Sequence, residues 1–362
     1  MSSFAESRIV VAGAGVLGSS IALVLAQAGA RVTLADPAPL GENASGVAAG
    51  MLAPAFEAIL DPVMEGRFSL LRRARELWPR FAERLGGAEL GLRRSGAIWV
   101  EAGDDHAASL DAYERALAAI GAPAERLTPA KVRGRLPGVE AGFGGVWTGE
   151  DWRLSPRRTL AVLRQAAREA GADLVDQRVE GFEVGKVRLS SGIVISADAV
   201  VLATGYAAGD FAPELACLTP IKGHILGGSM VGDDDRPVVR CDGGYIVAGV
   251  DGLHIGATME TGRADAMIDP AAVTRLQGIG MRFYPALASK SLTARTGVRA
   301  ATPDGLPLVG PSQMPGVYLA TGARRNGWLL APLVAEMIAA YLTGDNPGPY
   351  AARLNPRRFE AG

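Results

Sequence analysis

Hydrophobic positions along the chain change period several times, and each change marks an element. Two short apolar runs, 9–12 and 32–35, flank a stretch of small and apolar residues at 19–27. The order is strand, helix, strand. Residues 69–85 carry Leu70, Leu71, Ala74, Leu77, Trp78, Phe81 and Leu85 at helical spacing, which predicts a core-facing helix that Pro79 kinks or restarts. A strand at 97–101, a helix at 106–120 and a short capped helix at 128–137 follow. Ser155 and Pro156 are placed as N-cap and first residue of a helix reaching about residue 170. Beyond residue 172 the period drops to two, predicting strands at 174–179, 186–189 and 193–195, with Ser190-Ser191-Gly192 as a hairpin turn. A buried strand at 199–205, strands at 218–226, 244–247 and 253–259, a helix at 270–283, a strand at 317–321 and a helix at 327–342 complete the pattern. The fold class is α/β, with a late antiparallel sheet interleaved into a first, doubly wound unit.

Between the first strand and helix lies Gly13-Ala14-Gly15-Val16-Leu17-Gly18, and the second strand ends at Asp36. Gly13 makes the tight turn, Gly15 lets backbone approach a pyrophosphate, and Gly18 lets the helix lie close on the strand. A pyrophosphate would rest on the free N–H groups of the helix start, and Asp36 falls where an acid bonds an adenosine ribose. This is a dinucleotide site. The segment 37–54 holds two prolines to residue 39, three glycines and many alanines, so it suits backbone lying against a flat group. The Ala203-Thr204-Gly205 strand end should meet the same cofactor, since open α/β sheets bind ligands beyond the carboxyl ends of their strands.

Composition narrows the partners. The 362 residues suggest about two domains. With 37 basic and 38 acidic residues and a net charge of −1, no long basic run offers itself to nucleic acid or an anionic membrane. Cys217 and Cys241 have neither metal-ligand nor disulfide spacing and read as buried thiols in a reducing compartment. The first residues lack the form of a signal peptide, and no run approaches the roughly 18 apolar residues of a membrane span. The expectation is a soluble cytoplasmic protein with no metal; a homo-oligomer is compatible.

Four stretches, GAGVLGSS, ASGVAAGMLAP, GVRAATPDGLPLVGP and ATGARRNGWLLAP, together resemble the amine-oxidising flavoproteins of the D-amino-acid oxidase family, and within it the glycine oxidase branch of thiamine biosynthesis. The resemblance implies FAD and a discontinuous FAD-binding Rossmann-like domain at 1–88, 148–218 and 296–362. It implies an antiparallel-sheet substrate domain at 89–147 and 219–295. Gly13, Ala14, Gly15, Val16, Leu17, Gly18 and Asp36 would hold the ADP half. Ser45, Ala48, Ala49, Gly50 and Met51 would follow the pyrophosphate and isoalloxazine, Val179 the adenine side, and Thr204 and Gly205 the ring system. Arg325, Asn326, Gly327, Trp328 and Leu329 would close over the pyrimidine edge. Tyr245 and Arg299 would take a substrate carboxylate, with Met259 lining the same pocket. The implied reaction is oxidation of glycine, sarcosine or a small D-amino acid to an imine, with oxygen as electron acceptor.

The residues give these roles a physical basis. The 325–330 stretch opens a helix whose positive end would stabilise negative charge on a reduced flavin. A planar guanidinium at Arg299 matches a carboxylate with two parallel donors, and Tyr245 could add a third. Of the three histidines, neither His224 nor His254 has an evident carboxylate or nucleophile partner. His254 is expected to point outward and His106 to lie on the surface. Hydride transfer from a neutral amine needs no strong base, so positioning carries the catalysis. Ala323, Arg324, His224 and Ala248 depart from the glycine oxidase pattern and leave the choice of small amino acid open, including larger acidic amines. Two other enzyme readings stand beside this one: a D-amino-acid dehydrogenase with a non-oxygen acceptor, and an FAD-dependent tRNA-modifying demethylase. A flavin-binding protein without turnover is the third alternative.

Overall fold

The computed structural model describes residues 4, 6–86, 89–101, 106–140, 142–206, 211–229, 235–249 and 252–359. Two large sheets organise the chain. The first has six strands in the order Leu308–Pro311, Val317–Thr321, Ala199–Leu202, Arg8–Ala12, Arg31–Ala35 and Asp173–Val175. All neighbours are parallel except the antiparallel edge strand Leu308–Pro311. Strands buried on both faces read as continuous apolar runs. Here Val10, Val11 and Val200 to Leu202 are sealed. Helices Val16–Gln27, Pro156–Glu169 and Gly327–Thr343 cover one face, where Ile21, Leu25, Leu160, Leu163 and Val334 form a single core. A small antiparallel sheet of Val179–Glu183, Lys186–Leu189 and Val194–Ser196 covers the other, through Val179, Val187 and Leu189.

The second sheet has nine strands among the described residues. Thr219–Gly228 pairs along one edge with Thr293–Ala301 and along the other with Glu260–Thr261 and Gly252–Gly256 in succession. Gly244–Gly249, Val238–Cys241, Ala97–Glu101, Gly144–Thr148 and Glu125–Leu127 continue the sheet from there. Side chains alternate across it. Ile98, Val239, Ile246, Ile255 and Leu226 face a core closed by helix Pro270–Phe283. Trp99, Arg240, Tyr245, Gly256 and Ile225, which stand opposite one another in register, face the other way. The residue 295/296 division expected between domains falls within the strand Thr293–Ala301.

Several expectations change. The predicted strand 174–179 is two strands, Asp173–Val175 in the parallel sheet and Val179–Glu183 in the small one, because the chain turns at Asp176 to Arg178 to change sheets. The 69–85 helix is broken at Leu77, with Pro79 in the first turn of the restarted segment Trp78–Glu83. Val238–Cys241 and the four-residue helix Ala44–Val47 are additional. Cys217 is half-buried, at the end of a short 3-10 turn, whereas Cys241 is buried. His254 is buried rather than outward, 8% exposed, because its sheet is packed on both faces. His106 opens the helix His106–Ala119, but its side chain lies outside the described residues. Among the described residues no helix is long and apolar enough to cross a membrane.

Candidate active site

The glycine turn is built as its spacing requires. Gly13 has φ +98°, and a Cβ there would lie 2.5 Å from the Ala203 carbonyl oxygen. A Cβ on Gly18 would sit 1.8 Å from the Gly13 carbonyl oxygen, so only glycine lets helix and strand approach this closely. The helix Val16–Gln27 starts at Gly15 with no capping side chain of its own, and the Ser45 hydroxyl accepts from the Val16 N–H at 2.9 Å. The remaining first-turn N–H groups have no partner within the helix. A cavity of about 130 Å³ lies against them, walled by Gly15, Ser45, Gly205, Ala323, Arg324 and Gly327 among others. Asp36 closes the turn from below, accepting from the Ala14 N–H at 2.7 Å and the Ala38 N–H at 2.8 Å. Arg164, on the helix Pro156–Glu169, donates twice to the Ala14 carbonyl, at 2.7 and 3.1 Å, and fixes the same loop.

A larger cavity of about 440 Å³ continues from the first, sharing Ala44, Ala48, Arg299, Arg325 and Trp328. Its floor is Ala48, Ala49, Gly50 and Met51, and its far wall is the sheet face that carries Trp99, Arg240, Tyr245, Gly223 and Arg299. Trp328 ties the closing motif to the opening one, its indole N–H donating to the Ser45 carbonyl at 3.0 Å. Leu329 and Val179 are different: both side chains pack into hydrophobic core, away from the larger cavity. Among the described residues, Thr204 Oγ1, next in sequence to the cavity-lining Gly205, and Asn326 Nδ2, on a residue lining the larger cavity, are buried without a hydrogen-bond partner. Orphaned polar atoms, an uncapped helix start and a floor of small residues are what a flat cofactor with a pyrophosphate needs.

The cavity is rich in paired charge. Glu57, on helix Pro54–Leu60, accepts from Arg325 at 2.9 Å and Arg240 at 3.1 Å through the same oxygen. Burial alone would raise the Glu57 carboxyl, but Arg325 and Arg240, with Arg324 beyond them, hold it below its usual range. Arg324 pairs with Asp61, which takes the extra cation of the closing motif out of solvent. The second Arg240 nitrogen lies 3.3 Å from Met51 Sδ. Among the described residues Arg299 donates only to the Thr258 carbonyl, at 3.4 Å, and to Met259 Sδ, at 3.7 Å. Burial pushes the Tyr245 hydroxyl up, against the pull of Arg299, Arg325 and Arg240, so it remains a donor. Burial likewise pushes the Cys241 thiol up to about 12, which keeps this sulfur, packed in the core behind the cavity wall, protonated and unreactive.

Arg299, Tyr245, Met259 and Arg325 are therefore brought to one cavity. Arg240 and Glu57 were not expected there; the only signal is a charge inside the apolar run 238–241, directly opposite Tyr245. His224 corrects another expectation. It lies on the opposite sheet face, fully buried, with Nδ1 2.8 Å from Glu260 Oε1 and Nε2 accepting from the Asp269 N–H at 2.9 Å. It has a carboxylate partner after all, because the chain folds back at residues 257–269.

A protein family described as "FAD dependent oxidoreductase" (DAO) matches residues 8–341. The bifunctional protein ThiO/ThiG of Trichormus variabilis is 34% identical over 370 residues, which cover 97% of this chain but 55% of that protein. The chain thus spans about half the length of that relative. Glycine oxidase of Geobacillus kaustophilus is 30% identical over 349 residues, 91% of each chain. A solved structure of glycine oxidase from Geobacillus kaustophilus superposes with a TM-score of 0.85 at 27% identity, covering 98% of this chain and all of that one.

Proposed function

Since the chain belongs to the DAO family of FAD-dependent oxidoreductases and takes FAD as its cofactor, we propose that it oxidises a small amino acid, of the glycine, sarcosine or small D-amino-acid class. The observation that carries this reading is the placement of Arg299 and Tyr245 on one wall of a cavity whose floor is Ala48 to Met51. Bound FAD supplies the two-electron acceptor for the α-carbon hydride. The protein's part is orientation. Arg299 presents two parallel donors to the substrate carboxylate, and Tyr245 a third, so the α-carbon is held at a fixed angle to the floor. Met259 and Trp99 add apolar surface to the wall. Arg325, at the start of the helix Gly327–Thr343, adds positive potential beside the cleft.

The balance is simple. The α-carbon gives up a hydride and the amine a proton, leaving an imine. Water converts the imine to oxo acid and ammonia, or methylamine where the substrate is sarcosine, and oxygen takes the two electrons and two protons to leave as hydrogen peroxide. The net charge of −1 favours a small substrate over RNA. An Arg299→Ala variant should retain FAD and lose about 10²–10³-fold in kcat/KM, the loss of two charge-assisted hydrogen bonds at about 1.5–3 kcal/mol each, partly offset by water. Amine-dependent oxygen uptake measures it. Uptake within threefold of the parent would remove Arg299 from the clamp, and dye reduction without oxygen uptake would favour a dehydrogenase.

A further inference from the structure

Among the described residues, both groups that accept from Arg299 belong to the segment 257–269, where the chain folds back. Nη1 donates to the Thr258 carbonyl at 3.4 Å and to Met259 Sδ at 3.7 Å. Thr258 is itself fixed from the other side, by His224. The His224 N–H donates to Thr258 Oγ1 at 2.8 Å, and the Thr258 N–H donates back to the His224 carbonyl at 3.3 Å. The Thr258 hydroxyl in turn donates to Glu260 Oε1 at 2.8 Å. The His224 imidazole closes this network. Its Nε2 accepts from the Asp269 backbone N–H at 2.9 Å, so the ring proton is on Nδ1, which donates to Glu260 Oε1 at 2.8 Å. We propose that His224 is a positioning residue for the carboxylate clamp: through Thr258 and Glu260 it sets the place of the carbonyl and thioether on which Arg299 rests. The inference rests on the reading of Arg299 as that clamp.

The contact is mechanical. The Arg299 stem belongs to the strand Thr293–Ala301, opposite Ile221 in register, whereas its tip rests on a different piece of chain and moves with it. That piece is weakly held by backbone pairing: the strand Glu260–Thr261 makes two register pairs with Thr219–Gly228, and residues 263–269 lie in no helix or strand. Side chains supply the rest. Lys222 and His224 stand on one face of the strand Thr219–Gly228, both fully buried. Lys222 takes Asp265 at 2.5 Å, in the middle of the segment. His224 spans its two ends, Glu260 near the start and Asp269, the N-cap of the helix Pro270–Phe283, at the finish. One ring nitrogen must donate and the other accept, so an apolar residue of similar size would leave the Asp269 N–H and one bond of Glu260 unmet.

The test uses the FAD-loaded protein and acetate, a carboxylate without an amine, its Kd read from the perturbed flavin absorbance. His224→Ala should weaken acetate about tenfold, the scale of one hydrogen bond to a charged group. His224→Gln, whose amide offers both an acceptor and a donor, should return Kd to within about threefold of the parent. In an Arg299→Ala background, His224→Ala should change Kd less than about twofold, because no guanidinium is left to position. Leu276→Ala opens a cavity in the core under the helix that Asp269 caps, and should lower the melting temperature with acetate Kd kept within about twofold. Thr258→Val, set against Thr258→Ser, carries the same comparison if His224→Ala does not fold: the valine should weaken acetate about tenfold and the serine should not. An unchanged Kd in His224→Ala or Thr258→Val, equal weakening in Leu276→Ala, or a full tenfold effect persisting without Arg299 would overturn the role of His224 and leave the clamp standing. Acetate that binds Arg299→Ala as well as the parent would remove the clamp itself, and the positioning role with it.

Discussion

Gly223 offers a way to move the carboxylate clamp without removing it. The residue lies mid-strand opposite Gly297, in ordinary extended backbone that alanine also adopts. A Cβ there would lie 2.1 Å from Arg299 Nη1 and 2.6 Å from Nη2. Ordinary contact begins near 3.4 Å, so the guanidinium of a Gly223→Ala variant must retreat by 3.4 − 2.1, about 1.3 Å. The atoms displaced are the end of a flexible side chain, so folding is little affected, and alanine in place of glycine restricts the unfolded chain by about 0.4–1 kcal/mol in favour of folding. Catalysis is another matter. A misplacement of about 1 Å in a positioned group costs on the order of 10²-fold, equivalent to about 2.7 kcal/mol in the barrier. The variant should therefore bind FAD stoichiometrically, melt at or above the parent's temperature, and show kcat/KM for the preferred amine reduced about 100-fold in a peroxide-coupled assay. Activity within threefold of the parent, with the same melting temperature, would show that the position of Arg299 does not govern turnover.

Two further perturbations probe the scaffold. In Gly18→Ala the new Cβ meets a backbone carbonyl at 1.8 Å, which cannot step aside without opening the turn. About 1–3 kcal/mol of stability and most of the bound FAD should be lost, as read by thermal melting and absorbance at the flavin band; full FAD content at an unchanged melting temperature would contradict the close approach. Asp151 caps the helix Pro54–Leu60, accepting from the Ala55 and Phe56 N–H groups, and burial pushes its carboxyl up from 3.8 to about 7. A raised folded-state pKa means that the folded protein binds a proton the unfolded chain has released. Its contribution therefore falls as pH rises from about 4 to about 7 and is flat above. The difference in unfolding free energy between parent and Asp151→Asn should change across that window and not beyond it; a difference independent of pH would refute the assignment.

The local signals in this chain were strong where one element decides them. The strand Ala97–Glu101, the helix Pro270–Phe283 and the Gly13 to Gly18 turn follow directly from period, capping and backbone geometry. The site was legible only along its motifs. Glu57 and Arg240 are 183 positions apart, and Glu57 and Arg325 are 268 apart, so nothing near either residue in the sequence announces a buried pair. A lone charge reads as surface until its partner arrives from another element. His224 and His254 were misread for the same reason, since burial of an alternating strand on both faces depends on what packs above it. The Val179–Glu183 strand was missed because its apolar positions are few and it follows a change of sheet, although its partner Lys186–Leu189 comes next in the chain.

The central claim is that an amino acid held by Arg299 and Tyr245 delivers two electrons within this cleft. Anaerobic titration of the FAD-loaded protein with glycine, sarcosine, D-alanine and D-proline tests it without assuming an acceptor. At least one of them should bleach the flavin absorbance, and the bleaching rate should fall sharply in Arg299→Ala. A flavin that dithionite reduces but none of these amino acids does would contradict it.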